Sequence, residues 1–207
     1  ATARRVAEQM GLDFDNSTFI VCHMGGGMGT MCCKNGIIVN TYSSEEGSFT
    51  PVRAGRIPAD FLIKVYTDPK NTQDDINRLL RKNVGLFGHL GTDNCVEIEE
   101  RIRSGDKKAE LVYRAMAYQL SKDIGAMATV AFGKVDAVIL TGGIARSKMF
   151  TDWIRERVEF IAPVAIIPGS METEALAAGV TRILNGEEEL NSYEDVAKER
   201  SLYESCR

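Results

Sequence analysis

One short stretch, residues 135–147, most constrains how this chain can fold. Residues 137–140 are an unbroken apolar run, with a charged residue before them and two glycines soon after them. This pattern is typical of a strand that is buried on both faces in the middle of a sheet. We therefore expect an interior strand here, followed by a sharp turn at Gly142 and Gly143 and by a helix that Ser147 caps.

A strand that ends in two glycines beside a helix start can also bind a ligand. Backbone N–H groups at a helix start are unpaired and carry partial positive charge, so they can hold a phosphate group. In most α/β proteins, however, the same junction is only a tight turn. The pattern alone leaves both interpretations open, and other segments have to decide between them.

The order of the segments predicts the fold class. Apolar and β-branched runs predict strands at residues 18–23, 29–33, 37–41, 137–140 and 164–167. Helical periodicity predicts helices at residues 1–11, 59–66 and 72–81, from residue 92, and at 106–132, 148–159 and 173–184. Three antiparallel strands followed by alternating helices and strands form a ribonuclease-H-like α/β layout, with a helical insertion at about residues 59–105.

The domain organisation follows from the same pattern. We expect residues 1–186 to form one domain and residues 187–207, acidic and then mixed in charge, to form a peripheral tail. The first helix has no capping residue before it and the sequence starts at Ala1 rather than Met, so we expect the chain to be cut there. Because no signal-peptide pattern is present, we also expect a cytoplasmic protein.

Charge and hydropathy exclude two classes of partner. The 29 acidic and 25 basic residues give a net charge of -4, which argues against nucleic acid, whose phosphates require clustered Lys and Arg. No apolar run approaches the roughly 18 residues that a membrane span requires. The five cysteines have no zinc-ligand spacing, and we expect free thiols in a reducing compartment.

Four segments together carry a resemblance to a known family. They are His23-Met24-Gly25-Gly26-Gly27, Phe49-Thr50-Pro51-Val52-Arg53-Ala54-Gly55, Ala115-Met116-Ala117-Tyr118-Gln119 and Leu140-Thr141-Gly142-Gly143-Ile144-Ala145. From residue 1 to about residue 186, the chain resembles the C-terminal half of the butyrate kinases. These enzymes belong to the acetate, propionate and butyrate kinase family, within the superfamily of acetokinases, sugar kinases, Hsp70 and actin.

The resemblance implies both an activity and a missing part. The implied reaction is the reversible phosphorylation of a short-chain carboxylate such as butyrate by ATP with Mg²⁺, which gives an acyl phosphate and ADP. The family's enzymes have two such domains around a cleft. We expect this sequence to hold only the second domain, because it contains no Asn-Pro-Gly-Ser-type turn followed by Lys. The partners implied are therefore ATP, the acid, the missing N-terminal domain and a second copy in a homodimer.

The phosphate side of the implied site comes from the first glycine bend. His23 ends a strand there, and Gly25, Gly26 and Gly27 allow backbone N–H groups to reach the β- and γ-phosphates. The ordinary alternatives are a histidine hydrogen-bonded at a strand end and a plain hairpin bend. Arg53 is the implied catalytic residue, which stabilises charge on the phosphoryl group in transit, and its alternative is a surface arginine.

The remaining implied contacts come from the second glycine bend and the last helix. Gly142, Gly143 and Ile144 would meet the adenosine and the α-phosphate, and Arg146 would lie over the base or reach the phosphates. Glu174 would help to hold Mg²⁺, often through water. Its alternative is an ordinary carboxylate at a helix N-terminus, and the two interpretations carry equal weight.

One position departs from the family pattern. Where the family commonly has an Asp followed two residues later by an Arg that contacts the nucleoside, this chain has Asn94 and Val96. The departure puts nucleotide binding in question, although Asp93 can replace the acid by a one-residue exchange. A non-catalytic nucleotide-binding or dimerisation module is therefore a second hypothesis, and a sugar kinase of the same fold is a third.

Overall fold

A five-stranded mixed sheet organises the first of two compact units. The computed structural model describes residues 1–43, 45–190 and 192 and divides the chain into Ala1–Ser170 and the part from Met171 onward. The strands are β1 (Thr18–Met24), β2 (Met28–Lys34), β3 (Ile37–Tyr42), β4 (Ala137–Gly142) and β5 (Val164–Pro168). Their order is β3-β2-β1-β4-β5, antiparallel among the first three and parallel across β1, β4 and β5.

The helices follow the predicted pattern closely. They are α1 (Thr2–Met10), α2 (Ala59–Thr67), α3 (Gln73–Arg81), α4 (Gly85–Leu90), α5 (Cys95–Arg103), α6 (Lys107–Val130) and α7 (Lys148–Val158) in the first unit, and α8 (Glu172–Leu184) in the second. Helix α4 was not among the predicted helices, most boundaries agree to within one residue, and two differ by more. The fifth helix starts at Cys95 rather than Thr92, because the Asn94 side chain accepts its first N–H groups. The sixth ends before Phe132, which has a φ of 54°.

The two faces of the sheet bury different side chains because strand side chains alternate in direction. On one face, Ile20, Cys22 and Leu140 pack with α6 and α7 in the main core. On the other face, Phe19 and Ile139 pack with α1 in a smaller core. All six residues of β4 are buried, which confirms the prediction of an interior strand. The ribonuclease-H-like fold class is confirmed by this topology.

The turn after β4 contains a short helical element that was not predicted. A 3₁₀ turn, Gly143–Arg146, lies between the strand and α7. The predicted cap is confirmed, because the Ser147 Oγ accepts a hydrogen bond from the Phe150 N–H at 3.0 Å. Gly142, the last residue of the strand, has a φ of 94°, which favours glycine strongly.

Gly142 also brings the two glycine bends into backbone contact. A Cβ atom at this position would lie 2.4 Å from the carbonyl oxygen of Met24, the last residue of β1. No real side chain tolerates that distance. The Gly142 N–H donates to the Gly169 carbonyl oxygen at 3.2 Å, so this amide is already paired. The glycine therefore fixes how closely the ends of β1 and β4 approach each other.

The long loop between β3 and α2 is fixed by polar side chains of α6. The buried Asp123 carboxylate accepts hydrogen bonds from the Ser48 N–H and from the Arg56 Nη2, both at 2.6 Å. One turn earlier, the Gln119 Oε1 accepts from the Phe49 N–H at 3.1 Å. A buried carboxylate needs such partners, because an unpaired charge in the interior is costly. The loop is therefore held at defined points along α6.

Two further expectations concerned the cysteines, predicted to be free thiols, and the absence of a membrane-spanning segment. Cys22, Cys32, Cys33 and Cys95 are free thiols, as predicted, and Cys206 lies outside the described residues. Burial raises the pKa of the Cys22 thiol to about 12. Among the helices of the described residues, none combines the length and the apolar character that crossing a membrane requires.

The close approach at Gly142 predicts a large cost for the smallest side chain. Gly142→Ala should lower the free energy of unfolding by at least about 3 kcal/mol, because it combines a backbone clash with a left-handed φ. Gly143→Ala is the matched control, since no atom lies within 4 Å of its added Cβ. Urea unfolding followed by circular dichroism measures both. Equal stabilities for the two variants would contradict the assigned role of Gly142.

The two hydrogen bonds that the Asp123 carboxylate accepts predict a second stability effect. Asp123→Asn retains one acceptor oxygen and cannot pair with both Ser48 and Arg56, so we expect a loss of about 2–3 kcal/mol in unfolding free energy. Asp74→Asn, in an exposed ion pair with Arg78, should change stability little. Urea unfolding of both proteins, together with faster hydrogen exchange at the Ser48 amide, checks this. Unchanged exchange there would rule out the anchoring role.

Candidate functional site

The ends of β1 and β4 open into one pocket of about 480 Å³. Four parts of the chain form it: the two glycine bends, α5 with the residues just before it, and one residue of the long loop. The lining residues are Gly25, Gly26, Pro51, Asp93, Asn94, Cys95, Val96, Glu99, Arg103, Gly143, Ile144, Arg146 and Ser147. Parallel β1 and β4 both end here, and the carboxyl ends of such strands are the usual place for a ligand in α/β folds.

The first bend contributes Gly25 and Gly26 to this pocket. The Gly25 N–H is used inside the bend, where it donates to the Gly27 carbonyl oxygen at 2.9 Å. In the described part of the chain, no hydrogen bond uses the N–H groups of Gly26 or Gly27. The Gly26 carbonyl oxygen accepts from the Thr50 Oγ1 at 2.7 Å, which ties the bend to the long loop. The bend is thus held firmly while two of its amides stay available.

His23 and Gly27 lie beside the pocket rather than in its lining. His23 is exposed and pairs with Gly29 on one neighbouring strand and with Thr141 on the other. Its imidazole Nε2 would lie 3.5 Å from a Cβ at Gly25, so the ring stands directly against the bend. The histidine therefore lies at the bend, and its contact with a phosphate stays a prediction.

The second bend contributes amides and an apolar contact. Gly143 and Ile144 line the pocket, and they begin the 3₁₀ turn, where N–H groups have no partner inside the turn. Arg146 also lines the pocket, and its guanidinium lies against Gly169. Gly142 does not line it, and its N–H is already paired with Gly169. The structure therefore gives Gly142 a packing role, unlike the other residues predicted in this bend.

Helix α5 and the two residues before it form another wall. Asn94 and Val96, the two positions that depart from the family pattern, lie in it together with Glu99 and Arg103. The Glu99 Oε2 accepts from the Arg103 Nη2 at 2.7 Å, and its Oε1 accepts from the Ser147 hydroxyl. Sequence reasoning missed Glu99 and Arg103. They follow Val96 by three and seven residues, and such positions share one helix face. This spacing could have indicated that they lie in the same wall as Val96.

Buried side chains lie beneath this wall. Tyr113 of α6 is fully buried, with its ring centroid 4.8 Å from that of Phe150 and 5.8 Å from that of Trp153. Burial raises the pKa of the Tyr113 hydroxyl well above its ordinary value, so it remains neutral. Burial also raises the pKa of the Cys95 thiol, which is then mostly protonated at neutral pH. These two groups therefore add no charge at or beside the pocket.

Arg53 lies outside this pocket. It lines an adjacent pocket of about 530 Å³, formed by the long loop and Leu62. Its Nε is 3.1 Å from the Glu45 Oε1, and its Nη1 donates to the Val52 carbonyl oxygen at 3.0 Å. The two pockets are linked by the short segment Pro51-Val52, whose Val52 N–H donates to the Gly26 carbonyl oxygen at 3.3 Å.

The predicted metal ligand lies in the other unit. Glu174 is in the first turn of α8. Within the described residues, no group of three or more His, Cys, Asp or Glu side chains is placed to hold a metal ion. Mg²⁺ bound to a nucleotide takes most of its ligands from phosphates and water, so a single carboxylate satisfies its usual protein contact.

Two curated relatives match almost the whole chain. Butyrate kinase 2 of Clostridium acetobutylicum is 42% identical over 195 residues, which is 93% of this chain and 55% of that protein. A probable butyrate kinase of Listeria welshimeri is 39% identical over the same shares. The chain therefore spans about half the length of the curated relatives it matches.

Solved structures share the fold. Acetate kinase from Porphyromonas gingivalis superposes with a TM-score of 0.78 at 23% identity, covering 87% of this chain and 52% of that one. Acetate kinase from Entamoeba histolytica superposes with a TM-score of 0.73 at 20% identity, covering 86% and 55%. These similarities confirm the actin-like ATPase fold. A sequence model of the acetokinase family matches residues 2–164, and the chain belongs to that family.

Proposed function

We propose that this chain is the nucleotide-binding, C-terminal part of a carboxylate kinase that makes an acyl phosphate from ATP and a short-chain acid such as butyrate. One observation carries the proposal: two glycine bends far apart in sequence meet at a single pocket. Its volume of about 480 Å³ is in the range of nucleotide and cofactor sites. The butyrate kinases among its relatives support the choice of acid.

Different residues in and beside the pocket would contact different parts of the nucleotide. The amides of Gly26, Gly27 and Gly143 would donate to the phosphates, because their N–H groups are free of other partners among the described residues. His23, which stands against Gly25, would contact the phosphate end. Ile144 would pack on the base, and Arg146 would contact the base or the phosphates.

The reaction needs little proton chemistry. A carboxylate is already ionised at neutral pH, so its oxygen attacks the γ-phosphorus directly. The bond from that phosphorus to the bridging oxygen of the β-phosphate breaks, and ADP leaves with the electron pair. Catalysis then depends on positioning and on offsetting charge over the transferred phosphoryl group. Mg²⁺, when bound with the nucleotide, supplies positive charge there, and Glu174 is the residue proposed to hold it.

Arg53 is the proposed catalytic cation for this step. Its ion pair with Glu45 is partly exposed, with 37% and 54% of the two side chains accessible. Exposed pairs contribute little stability, so Arg53 can exchange Glu45 for a phosphoryl group at small cost. Its position next to Val52, whose amide bonds to Gly26, keeps it near the phosphate bend.

The domain assignment belongs to the same proposal. We place residues 1–186 in the C-terminal domain of a two-domain enzyme, with a helical insertion at about residues 59–105 and a tail at residues 187–207, most of which lies outside the described residues. The partner domain would complete the acid's pocket and exclude water from the phosphoryl group. The homodimer and the cytoplasmic location remain predictions.

A second candidate is a nucleotide-binding module without turnover. Asn94 and Val96 stand in the pocket wall where the family has Asp and Arg, which favours weaker nucleotide recognition. Binding and turnover together distinguish the two candidates.

Calorimetry with ADP and trapping of acyl phosphate as hydroxamate test the proposed function. We expect ADP binding by the 207-residue chain and butyrate-dependent hydroxamate when the chain is joined to the N-terminal half of a butyrate kinase. Arg53→Gln should then lower turnover by about 100- to 1,000-fold with little change in ADP affinity. Arg78→Gln, an exposed arginine on α3, is the control. Binding without turnover would support the module, and no binding would sink both candidates.

The Cys95 thiol offers an independent test of the pocket. Because its pKa is raised, alkylation by iodoacetamide should be slow at pH 8 and accelerate at higher pH, as the thiolate fraction grows. Saturating ADP should slow the reaction several-fold, since Cys95 lines the pocket. Peptide mass spectrometry quantifies each cysteine, and the buried Cys22 serves as an unreactive reference. An alkylation rate at Cys95 that ADP leaves unchanged would argue against this pocket.

A further inference from the structure

Three side chains of α5 form a continuous row along the pocket. Val96, Glu99 and Arg103 are spaced by three and four residues, which places them on one face of the helix, and all three line the pocket. Arg101, on another face of α5, pairs with Asp106 at 2.8 Å and is not part of the lining. Of the two arginines of α5, Arg103 lines the pocket and Arg101 does not.

Arg103 is held in place at the pocket. Its Nη2 is 2.7 Å from the Glu99 Oε2, while 59% of its side chain remains accessible. Glu99 is nearly buried, and its other oxygen accepts from Ser147, the residue that caps α7 after the second glycine bend. Glu99 thus connects Arg103 to the bend that is proposed to hold the nucleotide.

We propose that Arg103 is a nucleoside-contact residue and that its guanidinium replaces the one absent at position 96. This inference rests on the proposed function, because it concerns the same site. A guanidinium is planar, remains charged, stacks on aromatic rings and donates several N–H groups, which suits the base and ribose of a purine nucleotide. Glu99 acts as a positioning residue, since both of its oxygens are already bonded and it orients Arg103 rather than the nucleotide.

The wall has room for this contact because Val96 is short. An arginine at position 96 would occupy the same helix face, one and two turns before Glu99 and Arg103. With valine there, the pocket side of the helix is open to the longer Arg103 side chain. Arg103 can reach in from two turns away because its three-methylene stem is flexible.

The test compares ADP affinity by calorimetry in matched variants of the full chain. Arg103→Met should weaken ADP binding by about 3- to 30-fold, the usual range for a cation stacked on an aromatic ring. Arg78→Met is the control, because Arg78 forms a similar pair four residues apart on α3, with 57% of its side chain accessible. It should leave both ADP affinity and thermal stability unchanged.

Two further variants separate recognition from mere structure. Val96→Arg in the Arg103→Met background should restore most of the lost affinity, because it returns a guanidinium to the same face. Glu99→Gln should weaken ADP binding in the wild-type background but add no further loss to Arg103→Met, since a positioning residue acts only through its partner. A purely structural role would give additive losses and no rescue.

Each outcome decides a distinct point. If the wild-type chain binds ADP and Arg103→Met binds it as tightly as Arg78→Met does, the inference is wrong while the proposed function stands. If the wild-type chain binds no ADP, the proposed function fails and this inference fails with it. Loss of affinity in Arg103→Met together with rescue by Val96→Arg supports both.

Discussion

The backbone contact between Gly142 and Met24 is the constraint on which the rest of the site depends. A Cβ at position 142 would lie 2.4 Å from the Met24 carbonyl oxygen, so only glycine allows the ends of β1 and β4 to approach this closely. This approach brings the amides of the first bend and those of the second to one pocket. Backbone amides from two bends can bind one polyphosphate only if the sheet holds the two bends close together.

Hydrogen bonds from polar side chains fix the long loop beside the strand ends that the sheet brings together. The loop that carries Arg53 places Phe49 in the main core, and it is also fixed at Ser48 and Arg56 by the buried Asp123. Its far side is fixed by the Thr50 hydroxyl bond to Gly26. A buried carboxylate with charged and amide partners specifies geometry more than it adds stability. The loop therefore keeps Arg53 at a defined place while leaving its own ion pair exposed and exchangeable.

Local patterns predicted the elements well and the contacts between elements poorly. The unbroken apolar run of β4 and the long periodic stripe of α6 were readable because each depends on its own residues. The helix end before Phe132 was missed because a hydrophobic pattern does not show which residue has a positive φ. Glu99 and Asp123 were missed as site and anchor residues because their partners, Ser147 and Ser48, are distant in sequence.

The two walls of the pocket come from different parts of the chain. The side proposed to hold the phosphates is built by the ends of sheet strands, where even a methyl group at Gly142 would not fit. The wall of α5 belongs to the helices inserted between β3 and α6. Val96 is exposed there, whereas Asn94 also caps the helix. Under the proposed function, substitutions at exposed positions of the inserted helix would change which base is preferred while leaving the backbone contacts to the phosphates intact. Nucleotide choice would then be separable from polyphosphate binding, because the two depend on different parts of the chain.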